Sequence, residues 1–172
     1  MSAQETGPEE HEDQYLDTSK LSKFELIGMA SGVLLFVSLF LPWFSTGPNE
    51  DAAITTAGIG NNASANAFQV FRVVDWLLLL LSFAPFILAW IVARRHKLDW
   101  PTGEVTMVTG LIGIFLVLCN GVILGKPKPG IEVSLDIGWF LGLVGCVGIF
   151  VAGLKRQAEA ASGRARKPPG TV

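Results

Sequence analysis

The residues of this sequence that could carry out chemistry are few and lie far apart. His11 lies near the N-terminus and His96 in a short basic stretch, and neither has Cys, His or acidic neighbours at metal-ligand spacing. Cys119 and Cys146 are the only cysteines, and they do not form the C-x-x-C motif of a thiol oxidoreductase. No nucleotide-binding or nucleophile motif is present. The sequence therefore predicts a protein that is not an enzyme and that uses no cofactor or metal.

Asn120 is the most polar side chain well inside a long apolar stretch. An amide group in hydrocarbon needs a hydrogen-bond partner, so this side chain should face other helices. The preferred interpretation is an interhelical hydrogen bond worth about 1 kcal/mol. The alternative is a contact with a substrate or ion, in which Asn120, Ser38 and Thr109 face a shared cavity. The apolar stretches contain no Asp, Glu, Lys, Arg or His, which counts against an ion pump.

A further set of candidates precedes the second apolar stretch. Phe68, Phe71 and Asp75 recur at helical spacing, which predicts an amphipathic segment that lies at the outer membrane surface and leads into the next helix. Arg72 and Asp75 are three residues apart and could form an ion pair. The segment is either a loop anchored by aromatic residues or a docking surface for a partner or lipid. Its candidate contact residues are Phe68, Phe71, Arg72 and Asp75.

Four charge-free stretches must position these candidates. Only 16% of the 172 residues are charged, against roughly a quarter in a soluble domain. The stretches cover about residues 26–44, 76–93, 105–125 and 137–154. At about 1.5 Å per residue, the helical length of each stretch is close to the ~30 Å thickness of the hydrocarbon core. A helix is expected there, because it pairs its own backbone N–H and C=O groups where lipid offers no partner. The predicted fold is all-α, a polytopic membrane protein with a four-transmembrane-helix bundle made of two hairpins.

Basic residues predict the orientation of these spans. Ten of the 13 Lys and Arg residues lie in the two tails and in the loop at 94–104, and such residues favour the cytoplasmic side. Both termini are therefore expected in the cytoplasm. Tryptophans agree with this topology, because Trp43, Trp76 and Trp139 fall at outer ends of spans and Trp100 at an inner end.

The spans define a helical domain over residues 24–154, between an acidic tail at 1–23 and a basic tail at 155–172. Both tails are expected to be disordered. Asp75 precedes Arg94 by 19 residues, and Asp136 precedes Lys155 by the same 19. This spacing reflects either a duplicated hairpin or two spans that obey one topogenic rule, and both interpretations stay open.

Small residues predict how the helices pack, because helices in lipid associate through close contact. G-x-x-x-G pairs occur in spans 1, 3 and 4, whereas span 2 opens with the leucine run 77–81. Spans 1, 3 and 4 should therefore pack tightly and span 2 should face lipid more. The contacts are expected within one chain, with self-association or a partner contact as the alternative. The packing residues are Gly28, Gly32, Gly121, Gly125, Gly138 and Gly142.

Three short motifs carry a resemblance to a known group of proteins. They are Leu41-Pro42-Trp43-Phe44, the lead-in from Asn66-Ala67-Phe68-Gln69 to Val74-Asp75, and Gly138-Trp139-Phe140-Leu141-Gly142. In these motifs residues 26–154 resemble a group of uncharacterised four-span bacterial proteins, common among actinobacteria. The resemblance implies a bacterial cytoplasmic membrane location and a four-helix fold, and it brings no known activity or site residues. The group usually has Trp at the position of Phe68.

These features together predict a protein that acts through contacts, as an accessory, assembly or scaffold component of the membrane. Its expected partners are membrane lipids and either other membrane proteins or further copies of itself, and not nucleic acid. The alternative is a small channel or transporter subunit. One four-helix bundle is too small and apolar to hold an aqueous path, so this alternative requires a homo-oligomer.

Overall fold

The computed structural model describes residues 22–46, 64–71, 73–94, 101–120 and 133–165. The described chain is mostly helical, as predicted, but it also contains three short strands that the sequence analysis did not anticipate. In chain order the elements are α1 (Lys23–Ser38), β1 (Pro42–Thr46), β2 (Ser64–Asn66), α2 (Ala67–Val70), α3 (Val74–Ala93), α4 (Thr102–Leu118), β3 (Val133–Leu135) and α5 (Ile137–Ala165).

Two of the described helices are long and apolar enough to cross a membrane. They are α3 and the part of α5 from Ile137 to Ser162. Only 33% and 44% of their most apolar windows are buried, so much of their apolar surface faces outward. The helix α4 is apolar but has 17 residues, and α1 has 16. Length and composition therefore identify two candidate spans.

The first helix starts earlier and ends earlier than its charge-free stretch. Ser22 caps α1, since its backbone N–H donates to Glu25 Oε2 at 2.9 Å and its Oγ accepts from the N–H of Phe24 at 3.2 Å. At the other end Pro42 lacks a backbone donor and lies in β1, so the helix stops at Ser38. The predicted boundary at residue 44 is therefore too late.

The last helix continues past its predicted end. The span was expected to stop at residue 154 and a disordered tail to follow, but α5 extends to Ala165. The extension is rich in Ala, Gln, Glu, Lys and Arg, which are good helix formers. The acidic residues 1–21 and the final residues 166–172 lie outside the described part of the chain.

The four long helices pack around one core. The helix α5 packs most extensively against α4 and α1, and α3 packs against the same two helices with smaller contacts. The backbones of α4 and α5 approach closely at glycines. A Cβ atom added at Gly110 would clash with the backbone of Phe150, and one added at Gly153 would clash with the backbone of Met107. We call these helices, α1, α3, α4 and α5, the helical body.

A three-stranded antiparallel sheet covers one end of the helical body, which we call the sheet end. The strand order is β2-β1-β3, and the central strand pairs Phe44 with both Ala65 and Leu135. A bulge between Pro42 and Phe44 shifts the register on the β2 side. Because β2 follows the first long helix and β3 follows α4, the sheet joins the two hairpins.

The close packing of α4 on α5 can be tested by comparing the same substitution, glycine to alanine, at two positions. Gly110→Ala places a methyl group against rigid backbone and is expected to lower the free energy of unfolding by about 3 kcal/mol. Gly28→Ala meets no atom closer than 3.6 Å, so its stability should equal that of the wild type or exceed it by up to about 1 kcal/mol. Unfolding in mild detergent followed by circular dichroism measures both, and equal stabilities would contradict the described packing.

Candidate functional site

Two tryptophans hold the sheet end together from the inside. Trp43 is fully buried and its Nε1 donates to the Ser38 carbonyl at 2.7 Å. Trp139 is nearly buried and its Nε1 donates to the Val117 carbonyl at 3.3 Å. Both carbonyls belong to final helical turns, where carbonyls lack N–H donors within their own helix. The Ser38 carbonyl also accepts from the Leu41 N–H at 3.1 Å. The indoles predicted for membrane interfaces therefore cap α1 and α4, whereas Trp76 is exposed.

Asp75 lies in the first turn of α3 and is 3% exposed. Its Oδ1 has no hydrogen-bond partner among the described residues. The positive end of the α3 dipole offsets part of the cost of burying this carboxylate. Arg72, its predicted ion-pair partner, lies outside the described residues. Asp136, its counterpart in the second hairpin, precedes α5 and accepts from the Ile137 N–H at 2.7 Å, so the two aspartates occupy different environments.

The predicted lead-in to span 2 is broken into two parts. The helix α2 ends at Val70, and Phe71 adopts an extended conformation before α3 begins. Phe71 packs edge-on against Trp43 and Phe44, so it contributes to the core. Phe68 contacts the rings of the exposed Phe40 and Trp76. Phe68 and Phe71 are therefore both half-buried against the core, and Phe68 also borders exposed rings, whereas Asp75 is buried.

The polar groups expected to share a cavity bond to their own helices instead. Asn120 Nδ2 donates to the Leu116 carbonyl at 2.9 Å, although an interhelical bond was expected. Ser38 Oγ donates to the Leu35 carbonyl, and Thr109 Oγ1 to the carbonyl four residues earlier. The structure therefore joins none of these three side chains to another by a hydrogen bond.

The predicted packing glycines occupy three kinds of position. At Gly32 an added Cβ would lie 2.5 Å from the Ser82 carbonyl oxygen of α3. At Gly138 it would meet the Pro42 carbonyl oxygen and the Trp43 ring, and at Gly142 the Trp43 ring and Ser38 Oγ. Gly28 differs, because an added Cβ there would be in ordinary contact only. Gly121 and Gly125 lie outside the described residues.

The opposite end of the helical body carries a buried ion pair, and we call it the ion-pair end. Glu25 of α1 meets Arg156 of α5 through Oε1, and its Oε2 accepts from the Ser22 N–H. The Oε1 contact lacks hydrogen-bond geometry and is an ion pair only. The Glu25 side chain is 4% exposed and that of Arg156 is 19% exposed. This pair ties the start of α1 to the late part of α5.

Further polar contacts surround this pair. Ser22 Oγ donates to Glu159 Oε2 at 3.2 Å, which adds a second link between α1 and α5. Gln157 Nε2 donates to Glu104 Oε1 at 3.2 Å and links α5 to α4. Every carboxylate described at this end therefore has a partner inside the protein.

A partly open cleft lies beside the ion pair, between all four long helices. Its cavity volume is about 10 Å³, which is room for about one water molecule. Its polar lining comes from Glu25, Arg156 and Thr106. Its remaining lining is apolar and consists of Phe24, Gly28, Pro85, Leu88, Ala89 and Ala152.

The contact between Glu25 and Arg156 was not predicted, and Arg156 was expected in the basic tail at 155–172. A signal for Glu25 was present, because Ser22-x-x-Glu25 before an apolar run is a capping-box motif. No sequence signal joins Glu25 to Arg156, since the contact depends on how α1 packs on α5. In the described part of the chain, no three His, Cys, Asp or Glu side chains form a group that could hold a metal ion.

Comparison of this chain with models of known protein families, with curated proteins and with solved structures returned no match.

The two residues of the ion pair should respond differently when each is replaced by the uncharged residue glutamine. Arg156→Gln leaves a buried carboxylate without its counter-charge and is expected to lower the free energy of unfolding by about 3 kcal/mol. Glu25→Gln leaves an arginine that can turn to water, and about 1 kcal/mol is expected.

Their combination, Glu25→Gln with Arg156→Gln, removes both charges and should be close in stability to Glu25→Gln alone. A double-mutant cycle on the free energy of unfolding in detergent measures this coupling. Additive effects of the two single substitutions would show that the contact contributes nothing to stability.

Proposed function

We propose that this chain is a four-pass membrane protein with both termini in the cytoplasm, which acts through contacts as an accessory, assembly or scaffold component. The observation that carries this proposal is the distribution of apolar and polar side chains over all four long helices. The bacterial cytoplasmic membrane is the location that the resemblance of residues 26–154 implies.

Exposed apolar side chains form a stripe along each long helix. On α5 they recur every three or four residues from Ile137 to Leu154, over about 25 Å. Similar stripes run over residues 26–37 of α1, 76–90 of α3 and 108–118 of α4. Soluble monomers rarely expose apolar patches larger than a few hundred Å². The exposed apolar stripes on the two shorter helices support the proposal that these helices cross the membrane together with α3 and α5.

Polar side chains have the opposite distribution. The hydroxyls of Ser38, Ser82, Thr106 and Thr109 are buried, and each donates to a carbonyl of its own helix. An apolar exterior around satisfied internal hydroxyls is stable in lipid, where unpaired polar groups are costly. It also supports a role based on contacts over a polar pathway through one copy of the chain.

Charged groups support the orientation. Lys23, Arg94, Lys155 and Arg156 all belong to the ion-pair end, where the exposed apolar stripes stop. Because basic residues favour the cytoplasmic side, the ion-pair end is cytoplasmic in this proposal and the sheet end is on the outer side.

Cysteine labelling tests the location and the topology. Starting from a chain with Cys119 and Cys146 replaced by Ala, we introduce one cysteine at an exposed site, as Ser134→Cys at the sheet end or Ser162→Cys on the extension of α5. An impermeant maleimide should label Ser134→Cys in intact bacterial cells and Ser162→Cys only after lysis. The protein should also stay in the membrane after alkaline extraction. Labelling of both sites in intact cells would contradict the topology.

Native mass spectrometry after gentle extraction tests the role in contacts. A scaffold or accessory protein should be released with another subunit in a fixed ratio. A bare monomer, retaining no protein partner, would contradict the proposal. A homo-oligomer with nothing attached would favour the channel or transporter alternative, and Asn120 would then be the residue to substitute.

A further inference from the structure

The last part of α5 projects from the ion-pair end with an open face. Residues 155–165 continue the helix by about 16 Å past Leu154, where the exposed apolar stripe of α5 stops. Ala158, Ala161 and Ser162 are all exposed on this part of the helix. We call residues 155–165 the helix extension.

The positive charge of this extension is not neutralised by the described part of the fold. Glu25 already pairs with Arg156, and Glu159 accepts from Ser22 Oγ at 3.2 Å. Lys155 is exposed, and no carboxylate in the described ranges forms an ion pair with it. Over residues 155–172 the sequence holds five basic residues against Glu159. The helix extension is therefore an exposed helix face with excess positive charge.

The N-terminal part of the chain has the opposite charge and joins the fold beside this face. Ser22, the first residue that the structure describes, bonds to Glu159 of the extension. Asp17 lies five residues before Ser22, so it can be up to about 17 Å away, whereas Glu159 and Ala165 are about 9 Å apart along α5. The acidic residues of this part can therefore reach the extension. They are six in number and stand against Lys20 alone: Glu5, Glu9, Glu10, Glu12, Asp13 and Asp17.

We infer that residues 5–17, which we call the acidic segment, dock on the helix extension of the same chain. Attachment through Ser22 keeps the segment at a roughly millimolar local concentration beside the extension, which favours the same chain over a second copy. The docked segment covers the basic face, so an anionic partner has to displace it to reach α5. The inference goes beyond the proposed function and does not need the membrane location, because Ser22 and Glu159 are in contact within the fold itself.

Carbodiimide cross-linking of the full-length protein in mild detergent tests this contact. The reagent joins a carboxylate to a lysine amine where the two touch, and mass spectrometry identifies the joined peptides. At low salt the acidic segment should be joined to Lys155 or Lys167. At about 1 M salt, where the screening length falls from about 10 Å to about 3 Å, these links should be lost. Links to the neighbouring Lys20 report that the reagent is active, so their presence without links to α5 would overturn the inference.

Neutral substitutions separate the effect of charge from that of proximity. One variant combines Glu9→Gln, Glu10→Gln and Glu12→Gln. Asp17 remains as a reactive carboxylate, and its links to Lys155 should fall several-fold, because three of the six attracting charges are gone.

The matched control changes three uncharged residues of the N-terminal part instead, as Ser2→Ala, Gln4→Ala and Gln14→Ala. It should give the wild-type yield of links. Equal yields in the control and in the neutralised variant would show that charge does not hold the segment on α5, and would overturn the inference.

Two other occupants of the helix extension are distinguished in the same assay. In a mixture of isotopically labelled and unlabelled protein, links within one chain join peptides of the same isotope. Links between labelled and unlabelled peptides would assign the contact to a second copy and overturn the inference. The links should also persist in nanodiscs of phosphatidylglycerol as they do in phosphatidylcholine. Their loss in phosphatidylglycerol alone would show that anionic headgroups occupy the extension in place of the acidic segment.

Discussion

The close approach of α5 to both α1 and α4 is the constraint on which the rest of the structure depends. Where α5 meets α1, an added Cβ at Gly145 would lie 2.9 Å from the Leu35 amide nitrogen, and at Gly153 it would clash with α4. Glycine makes this approach possible because it removes the side chain that would hold the backbones apart. With α5 held in this way, Arg156 reaches Glu25 at one end and Trp139 reaches the last turn of α4 at the other.

Different kinds of interaction stabilise the two ends of the helical body. At the sheet end, indole hydrogen bonds and aromatic contacts close the helix termini around an apolar core. At the ion-pair end, charges and amide groups link α1, α4 and α5, and a cleft remains beside them. An apolar end resists rearrangement because every void costs packing energy.

Features that neighbouring residues determine could be predicted from the sequence, whereas contacts between residues far apart in the chain could not. The starts of α3 and α5 were predicted within two residues or better, because local charge marks them. The sheet was missed, since its three-residue strands β2 and β3 have weak local signals and pair with a distant strand. Glu25 carried a local capping signal that was readable in the sequence, whereas its contact with Arg156 depends on packing between residues far apart in the chain. The interhelical hydrogen bond predicted for Asn120 was wrong, because its amide bonds to the Leu116 carbonyl four residues earlier.

The central position of β1 has a consequence for biogenesis. This strand is synthesised early and pairs on one side with β2 of its own hairpin. Its other edge pairs with Ser134 and Leu135 of β3, which are synthesised later. During synthesis the first hairpin therefore has an unpaired strand edge until the second hairpin has emerged and folded back. An open edge is a site where strands of other chains can add. Faster folding of the second hairpin therefore shortens the time for which this edge is open.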